Sequence, residues 1–333
     1  MTRKINNSYE LGQSNAPTDG GDMLKTRGDG TLVWEGVADT GYVPYSFQGS
    51  NYGFCAGGYS GGVVDTIDKF AFSSNTTATD HGDISVARYH VAGQSSTTDG
   101  FTSGGHTPGG GDFNTIDKFS FTSNTTASDH GDLAITERGA SGSSSQTHGF
   151  TLGGYSGAYV NTINKFAFSS NVTATDHGDL SQARGYTAGH SSSDYGFASA
   201  GNVSPVSDTI DRFNYASNTT GTDWGNLTAA REQAEGCSSS TDGFTSGGYA
   251  GGYYNTIDKF SFTSNTTAAD HGDISVARFH LAGLSETNNG FNAGGYSGVN
   301  SNVIDTFSYS SNTTSADHGN LSVARYTPAG TQY

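Results

Sequence analysis

Thr66 to Arg88 reads TIDKFAFSSNTTATDHGDISVAR, and its Asp-His-Gly-Asp core has the residue types of a metal site or an acid/base pair. Forty-nine residues further on the chain writes TIDKFSFTSNTTASDHGDLAITER, and four more versions follow. The Asp-x-Gly element recurs at Asp80, Asp129, Asp176, Asp223, Asp270 and Asp317, at intervals of 49 and then four times 47. Each unit also carries a Gly-Phe pair (Phe54, Phe101, Phe150, Phe197, Phe244 and Phe291), with Gly-Gly two residues on, or Ala200-Gly201 in the fourth copy. Self-similarity at this period marks a repeat architecture, in which single units cannot bury their apolar faces alone. The motif is one brick laid six times.

Composition agrees. Of 333 residues 49 are Gly, 14% are charged and 32% are hydrophobic. So polar a chain would be disordered, were its Phe and Tyr not set at fixed positions. Scarce helix formers and abundant aromatic residues indicate an all-β fold. The net charge of -16 argues against nucleic acid, since neutralising phosphate needs Lys and Arg. The start, MTRKINNSYELGQ, has no apolar core of a signal peptide, and no stretch is long and apolar enough to insert in a membrane. Cys55 and Cys237 lie in different repeats without metal-ligand spacing and are expected to be free structural thiols.

Within a repeat the local chemistry predicts four short strands. The first follows Arg88 (YHVAGQ), the second is GFTSGG, the third TIDKFSF and the fourth DHGDLAI. Alternation puts Phe119 and Phe121 on one face of the third strand, and Ile116 and Ser120 on the other. A sheet apolar on both faces needs cover on both sides, which radially stacked blades provide. The C-terminal LSVARYTPAGTQY stops after the first strand of a new unit, and VPYSFQGSNYGFCAGG (43–58) begins with what that unit lacks. One blade is therefore expected to form from both ends of the chain, leaving no open edge.

The order Arg, short strand, Gly-Phe-x-x-Gly-Gly, Ile-Asp-x-Phe-x-Phe, Asp-x-Gly-x-Leu resembles the kelch repeat over residues 43–333. The resemblance implies a six-bladed kelch-like β-propeller and no particular activity. Kelch blades usually carry Trp before the last strand; here Trp224 alone does, and His81, His130, His177, His271 and His318 take the other places. Residues 1–42 stand outside the repeats and are expected to form a short extended arm. GGDMLKTRGDGTLVWEG (Gly20 to Gly36) resembles L-K-S-D-G-D-G-T-L-x-W segments of structural proteins of tailed bacteriophages, fibre-like ones in particular, although Arg27 departs from that pattern.

Subtracting the scaffold leaves little catalytic chemistry. The propeller's basic residues are assigned to two repeat positions: Lys69, Lys118, Lys165, Arg212 and Lys259, and Arg88, Arg138, Arg184, Arg231, Arg278 and Arg325. None is left over. The repeated Arg is expected to tie to a repeated Asp. The six Asp-His-Gly-Asp copies cannot converge on one ion; a turn role for Asp and Gly is expected, with His packing on a neighbouring blade. Asn-Thr-Thr and its variant Asn-Val-Thr (Asn75, Asn124, Asn171, Asn218, Asn265 and Asn312) match a glycosylation sequon but read as turn chemistry. No G-x-S-x-G, H-E-x-x-H or phosphate loop occurs, no cofactor or metal site is indicated, and the chain is not read as an enzyme.

What varies is the loop after Gly-Gly. These loops gather on one propeller face and would present Tyr59, His106, Tyr155, Tyr159, Tyr249, Tyr253, Tyr254 and Tyr296, each an apolar plate with a polar tip. The expectation is a virion structural protein, a tail fibre or similar tail component assembled in the host cytoplasm. Its arm, with Leu32, Val33 and Trp34 as apolar cluster, would join other virion proteins. Its loop face would meet host-surface glycan or another virion subunit. A head decoration protein, a cellular kelch-type interaction module and a glycan-active propeller enzyme are the alternatives.

Overall fold

The structure, a computed structural model, describes residues 22–26, 32–36 and 47–333, and every regular element in them is a β-strand. The chain forms two compact units, Met1–Tyr45 and Ser46–Tyr333. In the first, strands Asp22–Thr26 and Leu32–Gly36 pair antiparallel, with Leu24 opposite Trp34, Lys25 opposite Val33 and Thr26 opposite Leu32. Where a simple extended arm is expected, its described part is thus a strand pair. Val33 and Trp34 supply the strand-favouring residues of the second strand.

The second unit is a six-bladed β-propeller. The innermost strands are Ala92–Ser95, Ser141–Ser144, Ala188–Ser191, Glu235–Ser238, Ala282–Ser285 and Ala329–Gln332. Each begins later than the sequence suggests, because the chain first passes through a residue of positive φ, such as His90 at 58°. Each sheet then runs outward, second to third to fourth strand, in order. Ala329–Gln332 pairs with Tyr52–Ala56, so the last strand completes the blade that the first propeller strand begins. Blade 1 is that clasped blade, and blades 2 to 6 follow in chain order.

Six apolar clusters fill the six junctions. The Gly-Phe residue of each blade packs on the last aromatic of the next blade's third strand. Phe54 meets Phe121 at 4.9 Å, Phe101 meets Phe168 at 4.8 Å, and Phe291 of blade 6 meets Phe72 of blade 1 at 4.7 Å. Ile116 lies in a different junction from Phe119 and Phe121, as period-2 alternation requires. Each buried ring contributes about 1.5–3 kcal/mol of burial, and each aromatic pair about 0.5–1.5 kcal/mol more.

Asp-His-Gly-Asp proves to be the outer lock. Asp80 Oδ1 accepts the Gly82 N–H at 2.8 Å, capping the turn. Gly82 has φ of 111°, and a Cβ there would strike the Thr125 carbonyl of the next blade, so only Gly serves. The His81 ring donates to the Ser120 carbonyl of the next blade at 2.8 Å; His130, His177, His271 and His318 make the corresponding bonds. Trp224 makes the same bond through Nε1 to Ser261. Asn75 donates to the Asp317 carbonyl of blade 6, and the other five sequon Asn side chains reach back alike. These groups build the ring.

Two circles close the axis. Gly93, Gly142, Gly189, Gly236, Gly283 and Gly330 each pack so tightly on the previous blade that a Cβ would overlap its glycine's carbonyl oxygen. One step lower, the Ser95 N–H donates to Ser144 Oγ at 3.0 Å. The relay continues through Ser191, Ser238 and Ser285 to Gln332, whose N–H returns to Ser95 Oγ at 3.1 Å. Phe47 covers this end: its carbonyl accepts from Gln332 Nε2, while Gln48 donates to the Ser238 and Glu286 carbonyls. The chain therefore enters the propeller on the axis, at the face opposite the Gly-Gly loops.

Candidate functional site

At the loop face the connectors between blades put one residue each around the axis: His90, Gly139, Tyr186, Gln233, His280 and Thr327. All six have φ of 56–62°. Backbone N–H groups of Gly139, Tyr186, Gln233, His280 and Thr327 each donate to the preceding member's carbonyl. The left-handed turn sends the side chains into the mouth, where the His90 ring lies 4.8 Å from His280 and 5.2 Å from Tyr186. Burial holds His90 at about 3 and His280 well below its ordinary value, so both are neutral at pH 7. Beneath them is a polar cavity of about 60 Å³, lined among others by Gln94, Ser143, His190 and Glu235. Burial raises the Glu235 carboxyl to about 8, and it accepts the Gly236 N–H at 3.3 Å.

Around the mouth runs an aromatic belt. Tyr59 lies 5.6 Å from Tyr89 and 5.4 Å from Tyr326, and Tyr89 lies 5.5 Å from His106. On the other side Tyr249 and Tyr253 flank Phe279, both at 5.5 Å, and Tyr296 bridges Phe279 to Tyr326 at 5.6 and 5.7 Å. Tyr155 and Tyr159 pair at 5.5 Å in blade 3. Seven of the eight residues singled out from the loops thus share ring contacts on this face. Tyr254 does not: the buried Arg231 guanidinium lies 5.6 Å from its ring, and it closes the scaffold. The loop reading missed Tyr89, Tyr186, Phe279 and Tyr326. They sit on the connectors, one or two residues after the repeated Arg slot, and that fixed offset was the available signal.

Five of the six expected Arg residues, not all six, tie to a repeated Asp. Arg88, Arg184, Arg231, Arg278 and Arg325 are buried and pair with Asp117, Asp211, Asp258, Asp305 and Asp68 at 2.8–3.2 Å. Each stands eight residues after its motif Asp; eight after Asp129 is Glu137, not Arg138. Glu137 fills the buried slot, and Asn164, standing where the other blades have Asp, donates to it at 3.4 Å. Burial raises the Glu137 carboxyl to about 8, so the pair is neutral.

Arg138 is therefore left over, contrary to the expectation that no basic residue is. It emerges on the loop face, 26% exposed, and ties to Asp112 at 2.7 Å. Asp112 sits on a hairpin that the two extra residues of blade 2's loop create, with His106 opposite it and bonded at 2.7 Å. The guanidinium stacks over Tyr155 at 4.6 Å. Partial burial opposes its charge, but hydrogen bonds to Asp112 and Tyr186 outweigh this and raise it further.

Cys55 and Cys237 are free and buried, with thiols pushed up to about 12 mainly by burial. Among the described residues no three His, Cys, Asp or Glu side chains are grouped to hold a metal, and no helix is long and apolar enough to cross a membrane. Leu32, Val33 and Trp34 stand on the second strand of the arm pair. Protein-family models give no match to this chain, and curated proteins give none either.

Proposed function

We propose that the chain is a virion structural protein of a tailed bacteriophage, tail-associated, whose kelch-like propeller displays a recognition face. It works by binding rather than turnover. The observation that carries this reading is the polarity of the ring. The polypeptide enters on the axis at Phe47, while the aromatic belt and Arg138 lie on the opposite face. An element held at one end and presenting its variable surface at the other suits an attachment device. The resemblance of Gly20–Gly36 to phage structural segments supplies the virion context. Partners would be a neighbouring virion protein for residues 1–42, with Leu32, Val33 and Trp34 in the joint, and host-surface glycan for the loop face.

Removing residues 1–40 tests the anchoring half. The truncated chain should fold with an unchanged melting transition and be absent from purified particles. Normal incorporation of the truncated chain would refute it.

A further inference from the structure

The loop face has one sector unlike the rest, and resting on the recognition reading above, we propose that this sector is an uncharged-saccharide subsite. Arg138 bounds it on one side and Glu232 on the other. These two occupy the connector position that is Tyr89, Phe279 and Tyr326 elsewhere. At Gly185, between them in ring order, the Tyr159 ring moves in instead, and a Cβ there would stand 3.2 Å from Tyr159 Cδ1. Tyr155, Tyr159 and Tyr186 supply the walls. Tyr159 feels both charges: burial raises its hydroxyl, Glu232 raises it further and Arg138 lowers it. Glu232 is held by Asn202 Nδ2 at 2.8 Å, as Arg138 is by Asp112 at 2.7 Å, so both are fixed before any ligand arrives.

A sugar ring offers an apolar C–H face and adjacent hydroxyls that donate and accept. Tyrosine faces suit the first. An Arg donor and a carboxylate acceptor on opposite sides suit the second, and bonds to charged groups are the stronger ones. An acidic sugar fits poorly: Asp112 already neutralises Arg138, and the chain carries a net charge of -16. The rest of the belt, from Tyr249 and Tyr253 through Phe279 and Tyr296 to Tyr326, lacks this pairing of donor and acceptor.

The test is binding of the full chain to an array of immobilised bacterial surface polysaccharides, uncharged and acidic, with thermal unfolding as the fold check. The intact chain should retain an uncharged polysaccharide. Arg138→Ala and Glu232→Gln should each weaken retention about 10- to 100-fold, while Val172→Ala, at an exposed turn away from the loop face, changes it less than about threefold. Glu232→Gln keeps the side-chain volume and carries the test if Arg138→Ala fails to fold. Retention within threefold for both variants, or retention of acidic polysaccharides alone, would overturn the subsite and leave the recognition reading standing. If the intact chain retains no polysaccharide at all, the glycan reading itself falls, and the subsite with it.

Discussion

Five connectors of the propeller drive an Arg into a buried slot against Asp; the sixth drives in Glu137 against Asn164 and sets Arg138 outside. The five are alike because a buried guanidinium needs its carboxylate, and losing either partner strands a charge. The sixth is stable by another route, with both groups uncharged. The difference teaches where chemistry becomes available on a ring of near-identical bricks. The recurring Arg is consumed in holding blades together, and at the connectors a departure from the repeat sets a guanidinium outside. Two departures coincide here, since blade 2's longer loop delivers Asp112 to meet Arg138.

The largest expected effect comes from breaking one of the five. Arg231→Met leaves Asp258 buried without its partner and should destabilise the chain by about 3–5 kcal/mol in urea unfolding. Copying the sixth connector into blade 5, Arg231→Glu together with Asp258→Asn, should cost at least about 2 kcal/mol less than Arg231→Glu alone. Simple additivity of the two changes would mean that the two kinds of pair are not equivalent solutions.

Next is the axial circle. Gly189→Ala forces a methyl into the Gly142 carbonyl and should cost about 1–3 kcal/mol or more. Gly62→Ala, with nothing within 4 Å, should stay within about 0.5 kcal/mol of the parent. Equal costs would show that the innermost strands have room to part.

Among the six connectors, a pH effect belongs to the sixth. Glu137 has a folded value of about 8 against an ordinary 4.5. Its contribution is therefore complete below pH 4.5 and is lost as pH rises towards 8. Glu137→Gln should flatten most of that decline between pH 5 and 8, measured as melting temperature against pH. An unchanged slope would place the titration elsewhere, Glu235 being the other carboxyl raised in that range. The smallest change is in the outer lock. His271→Ala loses one bond to the Ser308 carbonyl and should cost about 1 kcal/mol, with His271→Trp costing less than half of that because Trp224 makes the same bond.

The fold was legible because repetition multiplies weak signals. Glycine pairs, alternating phenylalanines and a chain ending one strand into a new unit pointed together to a closed ring, and the packing of His in the Trp place followed. The arm's strand pair was less so, since a short segment has no periodicity to set against an extended reading. The candidate site was only half legible. Loop tyrosines stood out by residue type, but the connector residues beside them lie in strands' approach segments that look like scaffold. Arg138 resembles the repeated Arg by residue type but not by spacing: eight from Asp129 is Glu137, and Asn164 in place of Asp is the compensating change.

The most direct test makes the sixth connector like the others. Glu137→Arg, Asn164→Asp and Arg138→Tyr together restore the repeat pattern, and polysaccharide retention by this regularised chain is the quantity to measure. A folded chain that has lost retention at least about tenfold is the predicted result. A folded chain that retains polysaccharide as well as the parent would contradict the claim that recognition resides where the ring departs from its own repeat.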